Sequence, residues 1–175
     1  MRARSGWGRC RRWCGVGAGA AEVYLRLAPA VLGYLRAEHA VEPEDLLGEV
    51  FLQVARDLTG FSGDDDACRR WVFTIAHHRL VDDWRRRRAR PRIHEGEVPD
   101  LADPRPVDEP GGLDPVLRRA LAALTAEQRE VVVLRFVADL SLDDVAVITG
   151  RTVGAVKSLQ QRALENLRRA VSLPA

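Results

Sequence analysis

The stretch from Ser141 to Arg169, SLDDVAVITGRTVGAVKSLQQRALENLRR, limits what this chain can fold into more than any other. Ser141 is a good N-cap, and Asp144 three residues on can close a capping box with it. Leu142, Val145, Ala146 and Ile148 or Thr149 then recur at helical spacing. Gly150 stands where that helix must stop, because glycine takes the left-handed conformation that ends one. Thr152 can cap a second helix with an apolar stripe of Val153, Val156, Leu159 or Gln160, Ala163, Leu164 and Leu167. Its other face carries Lys157, Ser158, Gln161, Arg162, Glu165 and Arg169. A short helix, a glycine turn and a longer helix with a basic, amide-bearing face form the helix-turn-helix pattern. The second helix of such a pair enters the major groove of DNA, its first turns reaching base edges.

The 175 residues allow one domain or two small ones. A net charge of +2 says little about partners, but the distribution says more. Between Arg69 and Arg92 there are nine Arg against Asp82 and Asp83. Between Ile93 and Asp114 seven acids face Arg105 alone. Bases again outnumber acids from Pro115 onward. Two basic blocks parted by an acidic strip suggest two nucleic-acid surfaces on a linker. Three Cys, at 10, 14 and 68, make no disulfide framework and no zinc ligand set, which fits a reducing cytoplasm. No run approaches the roughly 18 apolar residues of a membrane span. Residues 1–19 read as a disordered basic arm.

Residues 20–88 read as three helices. Val23, Leu27, Ala30 or Val31 and Leu35 mark the first, with Pro29 expected to break or kink it. Pro43 with Glu44 and Asp45 opens the second, which carries Leu46, Leu47, Val50, Phe51, Val54 and Leu58 on one side. Thr59 to Asp66 is a loop, and a third helix runs from about Ala67 to Arg88 with Val72, Ile75, Ala76, Leu80 and Trp84 inward. That helix interleaves Trp71, Phe73, His77, His78 and Trp84 with Arg79 and the run Arg85, Arg86, Arg87, Arg88. Rings stack on unpaired bases while guanidinium groups hold phosphates. Taken alone, the rings read equally well as core, and the Arg run as a solvated helix end.

Residues 89–113, rich in Pro, Gly and acids, form the linker, with a reach of about 80 Å when extended. Residues 114–175 hold four helices. The third and fourth are the helix-turn-helix, and the second opens on a Thr125–Gln128 capping box with Val131, Val132, Leu134 and Phe136 expected inside. The fold class is therefore all-α: two small helical domains joined by a flexible acidic linker, the C-terminal one a helix-turn-helix. The free protein should then hold its two basic surfaces at no fixed spacing.

Two blocks resemble the extracytoplasmic-function (ECF) group of bacterial RNA polymerase sigma factors. PEDLLGEVFLQVARDLTGF…WVFTIAHHRLVDDWRRRRARP is similar to that family's N-terminal promoter-melting domain. LTAEQREVVVLRFVADLSLDDVAVITGRTVGAVKSLQQRALENLRR is similar to its C-terminal domain. The resemblance implies a subunit that directs core polymerase to promoters and helps melt them, with no catalytic residue and no cofactor of its own. It implies that Asp45, Leu47, Glu49 and Phe51 dock on the clamp helices of the largest polymerase subunit, with Gly48 standing where the family commonly has Gln. It implies that the Gly60–Asp66 loop and the helix from Trp71 to Trp84, with Arg85 to Arg88, read the −10 element, His78 standing where Asn is frequent. Lys157, Ser158 and Gln161 match positions that face −35 bases, and Arg135, Thr152 and Arg162 match phosphate or groove-edge contacts. The acidic linker resembles the segment that follows the polymerase's RNA path. Promoter DNA and core polymerase are the implied partners, and an anti-sigma factor is an option the family leaves open.

Two other readings compete. A stand-alone helix-turn-helix regulator would share the C-terminal block, but no heptad marks a dimer surface. A metal-dependent hydrolase could use His77, His78, Asp82 and Asp83, of which His78 and Asp82 share a helix face. His39 and His94 stand alone, so the remaining ligands are missing.

Overall fold

The computed structural model describes residues 19–89 and 115–172; the arm before Gly19 and most of the expected linker, 90–114, lie outside them. Seven α-helices occur among the described residues: α1 (Ala20–Ala37), α2 (Pro43–Asp57), α3 (Asp65–Ala89), α4 (Pro115–Ala122), α5 (Ala126–Phe136), α6 (Leu142–Thr149) and α7 (Val153–Ser172). None of them is long and apolar enough to cross a membrane.

Helices α1 to α3 make the N-terminal unit. α1 turns Val23, Leu27, Val31, Tyr34 and Leu35 inward, at three- and four-residue steps with one direct neighbour. It runs unbroken through Pro29. Pro29 is exposed, and the lost N–H bond is outweighed by burying the residues after it against α2 and α3. α2 starts with Pro43 in its first turn, beside Glu44 and Asp45, as the sequence predicts. α3 begins two residues earlier than predicted because Asp64 caps it, accepting from the Ala67 N–H at 2.8 Å. Tyr34, Phe73, Leu80, Val50, Val54 and Val72 fill the centre of this unit.

Helices α4 to α7 make the C-terminal unit. Both predicted capping boxes form, Thr125 with Gln128 and Ser141 with Asp144. Gly150 ends α6 at φ 65°, and the Arg151 N–H bonds back to the Ala146 carbonyl at 3.0 Å. Val131, Leu134, Leu140, Val145, Val156 and Ala163 are buried together. Phe136, expected in this core, is 56% exposed. It is the last residue of α5, one position past the buried run Val131–Leu134 and Arg135, so the helix rotation carries it outward. Val153, at the very start of α7, is likewise 40% exposed.

The two units are packed on each other, which differs from the expectation of an unfixed spacing. α1 touches α5, α3 touches α6, and one apolar cluster runs through both units. Helical periodicity within each unit carries no trace of this seam, because its key groups are charged.

Candidate nucleic-acid interface

The second helix of the helix-turn-helix is α7. Thr152 caps it, accepting from the Ala155 N–H at 3.2 Å. Buried Val156 and Ala163 seat α7 on α5 and α6. Thr152, Lys157, Ser158, Gln161 and Arg162 are all exposed. Lys157 with Gln161, and Ser158 with Arg162, lie four residues apart, so they form adjoining rows on one open face. Hydrogen-bond donors and acceptors in the first turns of an open helix can meet base edges in a major groove.

Arg135 behaves differently from the other five residues predicted for this face. It is half-buried, donates from Nε to Gln160 Oε1 at 3.1 Å, and donates from Nη1 to the Leu140 carbonyl. It braces α5 and the α5–α6 turn against α7, so its guanidinium is already occupied within the fold.

The N-terminal unit scatters the residues predicted for base capture. Trp71 is half-buried and stacks on Phe61, ring centroids 4.8 Å apart and planes 22° from parallel. Phe61 was not singled out in the sequence, although it sits inside the predicted loop. Gly63 makes room for it, since a Cβ there would stand 2.9 Å from both the Phe61 ring and Ala67 Cβ. Phe73, by contrast, is fully buried, edge-on to Tyr34 at 5.9 Å. It is core and cannot reach a base from this position. His78 is exposed and Trp84 half-buried against the core.

His77 is also turned inward. Its Nδ1 lies 3.2 Å from the Tyr34 hydroxyl and 3.3 Å from Glu130 Oε1 on α5. Burial, aided by the neighbouring His78, lowers its pKa to about 4, so the ring is neutral at physiological pH. A neutral ring meets a carboxylate by donating, so this contact is a hydrogen bond rather than an ion pair. His77 thus joins the seam between units rather than the exposed surface that base reading would require.

The Arg run closes α3. Arg85 and Arg88 are exposed; Arg87 pairs with Asp83 at 2.7 Å, and Arg86 reaches Glu49 at 4.0 Å. On α2, Asp45 and Glu49 are exposed as predicted for a docking face, but Leu47 and Phe51 are each only 8% exposed. Those two belong to the core. Leu52, 60% exposed, shares the Asp45–Glu49 face at positions i, i+4 and i+7. It was hidden in the sequence by the apolar run around it. Among the described residues no group of three or more His, Cys, Asp or Glu is placed to hold a metal ion.

Residues 21–90 match the Sigma-70 region 2 family and residues 120–169 match Sigma-70, region 4. Relatives include the ECF RNA polymerase sigma factor RpoE of Cereibacter sphaeroides, 31% identical over 159 residues, 87% of this chain and 86% of that protein. SigC of Mycobacterium tuberculosis is 34% identical over 125 residues, 71% of this chain and 67% of that protein. BldN of Streptomyces coelicolor is 31% identical over 140 residues, which span 78% of this chain and 53% of that longer protein. Among solved structures, the sigma factor RpoE of Bartonella quintana, in complex with the anti-sigma factor NepR, has a TM-score of 0.67 at 22% identity. That likeness covers 89% of this chain and 98% of that one.

Proposed function

This chain belongs to the ECF group of RNA polymerase sigma factors, and from that premise we propose how its own residues divide the work of promoter recognition. A sigma factor serves transcription initiation and is not itself a catalyst. The −35 reader is the open face of α7. Lys157 and Gln161 read base edges, Ser158 supports them, and Thr152 and Arg162 hold the backbone. Arg135 acts through Gln160 and holds α7 in place. The −10 reader is built on the Phe61–Trp71 stack and exposed His78, with Arg85 to Arg88 on the phosphates. Phe73 and His77 leave this set because the fold buries them. The docking face for core polymerase is Asp45, Glu49 and Leu52 on α2, with Leu47 and Phe51 supporting it from within. Cytoplasmic residence beside the polymerase and promoter follows from the same reading. An anti-sigma partner is proposed on the likeness to a sigma factor solved with NepR.

The single observation that supports this most is the exposed cap Thr152 with four exposed polar residues in the first three turns of α7, Lys157, Ser158, Gln161 and Arg162. The test is transcription reconstituted with core polymerase on a library randomised at −35 and −10. We expect the chain to select a −35 element with guanine beside adenine, since Lys pairs with guanine and Gln with adenine. Tight, sequence-specific footprinting by the chain without polymerase would instead support a stand-alone regulator.

A further inference from the structure

The seam between the two units is built from groups that no promoter contact requires. Arg129 on α5 reaches into the N-terminal unit, its Nε 3.7 Å from Oε2 of Glu38, which is 2% exposed. Beside it, His77 of α3 meets Glu130 of α5, and Glu130 also faces Arg151 at 3.9 Å. At the other end, Arg70 donates to Asp144 at 3.0 Å and Arg69 donates to the Ala138 carbonyl at 3.1 Å.

A glycine shows how closely the units fit. Gly33 lies inside α1, where glycine costs a helix roughly 1 kcal/mol relative to alanine. A Cβ at that position would stand 3.3 Å from Val137 Cγ1 at the end of α5. The missing side chain is therefore a notch that admits the other unit.

The seam is also incompletely satisfied. Glu38 Oε1, Arg129 Nε and Arg151 Nε are buried without a hydrogen-bond partner. Burial pushes Glu38 up to about 7 despite the pull of Arg129, so desolvation outweighs the pairing. A network in that condition closes an interface without making it permanent.

One end of the seam lies beside the loop proposed above to read the −10 element. The α5–α6 turn faces the start of α3 across a polar cleft of about 650 Å³, whose walls include Asp64, Asp66 and Arg70 on one side and Arg135, Leu140 and Ser141 on the other. Asp64 and Asp66 belong to the loop assigned to −10 reading. In this state the two units are in contact, whereas promoter elements two DNA turns apart lie roughly 68 Å from each other.

We propose that the C-terminal unit is latched onto the N-terminal unit through Gly33–Val137 and the Glu38–Arg129 pair, and that this latch must open before both promoter elements can be engaged. The proposal rests on the sigma-factor reading above. It makes the latch a brake internal to the chain: the closed form holds the C-terminal unit across a cleft from the start of α3 and withholds the spacing that a promoter needs. Only the open fraction is competent, so the apparent Kd for polymerase and promoter is the intrinsic one divided by that fraction, and binding is weakened accordingly.

Two variants of the full chain test it. Gly33→Cys with Val137→Cys, in a Cys10→Ser and Cys14→Ser background, can lock the seam by a disulfide. Oxidation should lower transcription with core polymerase at least about tenfold, with recovery on adding reductant, because the locked fraction is removed from the competent pool. Full transcription from a chain shown to be fully cross-linked would overturn the proposal, as would failure of the pair to cross-link at all. Gly33→Leu should wedge the seam, raising the radius of gyration in solution scattering and strengthening polymerase binding at limiting chain. A helical Gly33→Leu chain with unchanged scattering and binding would also overturn it. If the reduced, unlocked chain directs no transcription, the sigma-factor reading fails, while cross-linking and scattering still report whether the latch closes.

Discussion

The two units use their helices in opposite ways. In the C-terminal unit the predicted −35 residues, Arg135 apart, lie on one exposed face of α7. In the N-terminal unit the predicted −10 and docking residues are divided between surface and core: Trp71 and His78 are accessible to some degree, while Phe73, Leu47 and Phe51 are buried. Under the proposed division of work, the difference reflects what each unit has to read. Duplex DNA offers a groove that a regular helix fits, so recognition residues follow helical spacing. An unpaired base needs a recess made by several elements, and the loop ring stacked on a helix ring is the one proposed for it above. An aromatic residue in such a unit has two uses, and spacing does not separate them.

Phe73→Ala should break the comparison most severely. If Phe73 is core, the N-terminal unit loses roughly 3–5 kcal/mol of stability in urea unfolding. Unchanged unfolding with a loss of promoter melting would return it to the base-reading set.

Next in size is the pH response of the seam. Glu38 is displaced from 4.5 to about 7, with Arg129 and Glu130 acting on it and His77 meeting Glu130 in turn. A raised carboxyl contributes stability that is present below 4.5 and lost as pH rises through about 7. His77 has the opposite sign, its contribution being lost as pH falls from 6.5 through about 4, so it opposes Glu38 in the wild type, while Glu130, also raised by burial, adds to Glu38. Glu38→Gln removes the Glu38 contribution alone. Its stability relative to wild type should therefore grow by roughly 3 kcal/mol between pH 4.5 and 8. Parallel profiles would mean that Glu38 titrates as an exposed carboxyl.

The exposed face of α7 makes a smaller and purely functional prediction. Lys157→Ala and Gln161→Ala should each cost roughly 1–3 kcal/mol of discrimination at one −35 position, with circular dichroism unchanged. Arg162→Ala should weaken all sequences alike and lower the salt dependence by about one phosphate contact. Arg135→Ala should instead lower thermal stability, and a shift in base preference without such a loss would show it to be a direct reader.

Local effects come last. Ser141→Ala removes the cap that accepts from the Asp144 N–H at 3.0 Å and should cost about 1 kcal/mol in thermal unfolding. Gly48→Ala should stabilise the N-terminal unit by up to about 1 kcal/mol, because nothing lies within 4 Å of the added Cβ. Gly33→Ala offers the sharper contrast, since its helix gain is opposed by Val137 at 3.3 Å.

What the amino-acid sequence determined by itself is local and periodic. Ser141, Thr125 and Gly150 act on backbone groups within a few residues, so their helix ends could be read directly. The apolar steps of α2 and the polar face of α7 follow from 3.6-residue geometry alone. The tertiary structure decided which of two equivalent uses each ambiguous residue takes. It carried α1 through Pro29, placed Phe73 against Tyr34, left Leu52 outside, and turned His77 and Arg135 toward partners within the fold. It alone brought Glu38 beside Arg129 and Gly33 beside Val137. Those pairs are distant in sequence and unlike in chemistry, and buried charge between two units obeys no period that a single chain displays.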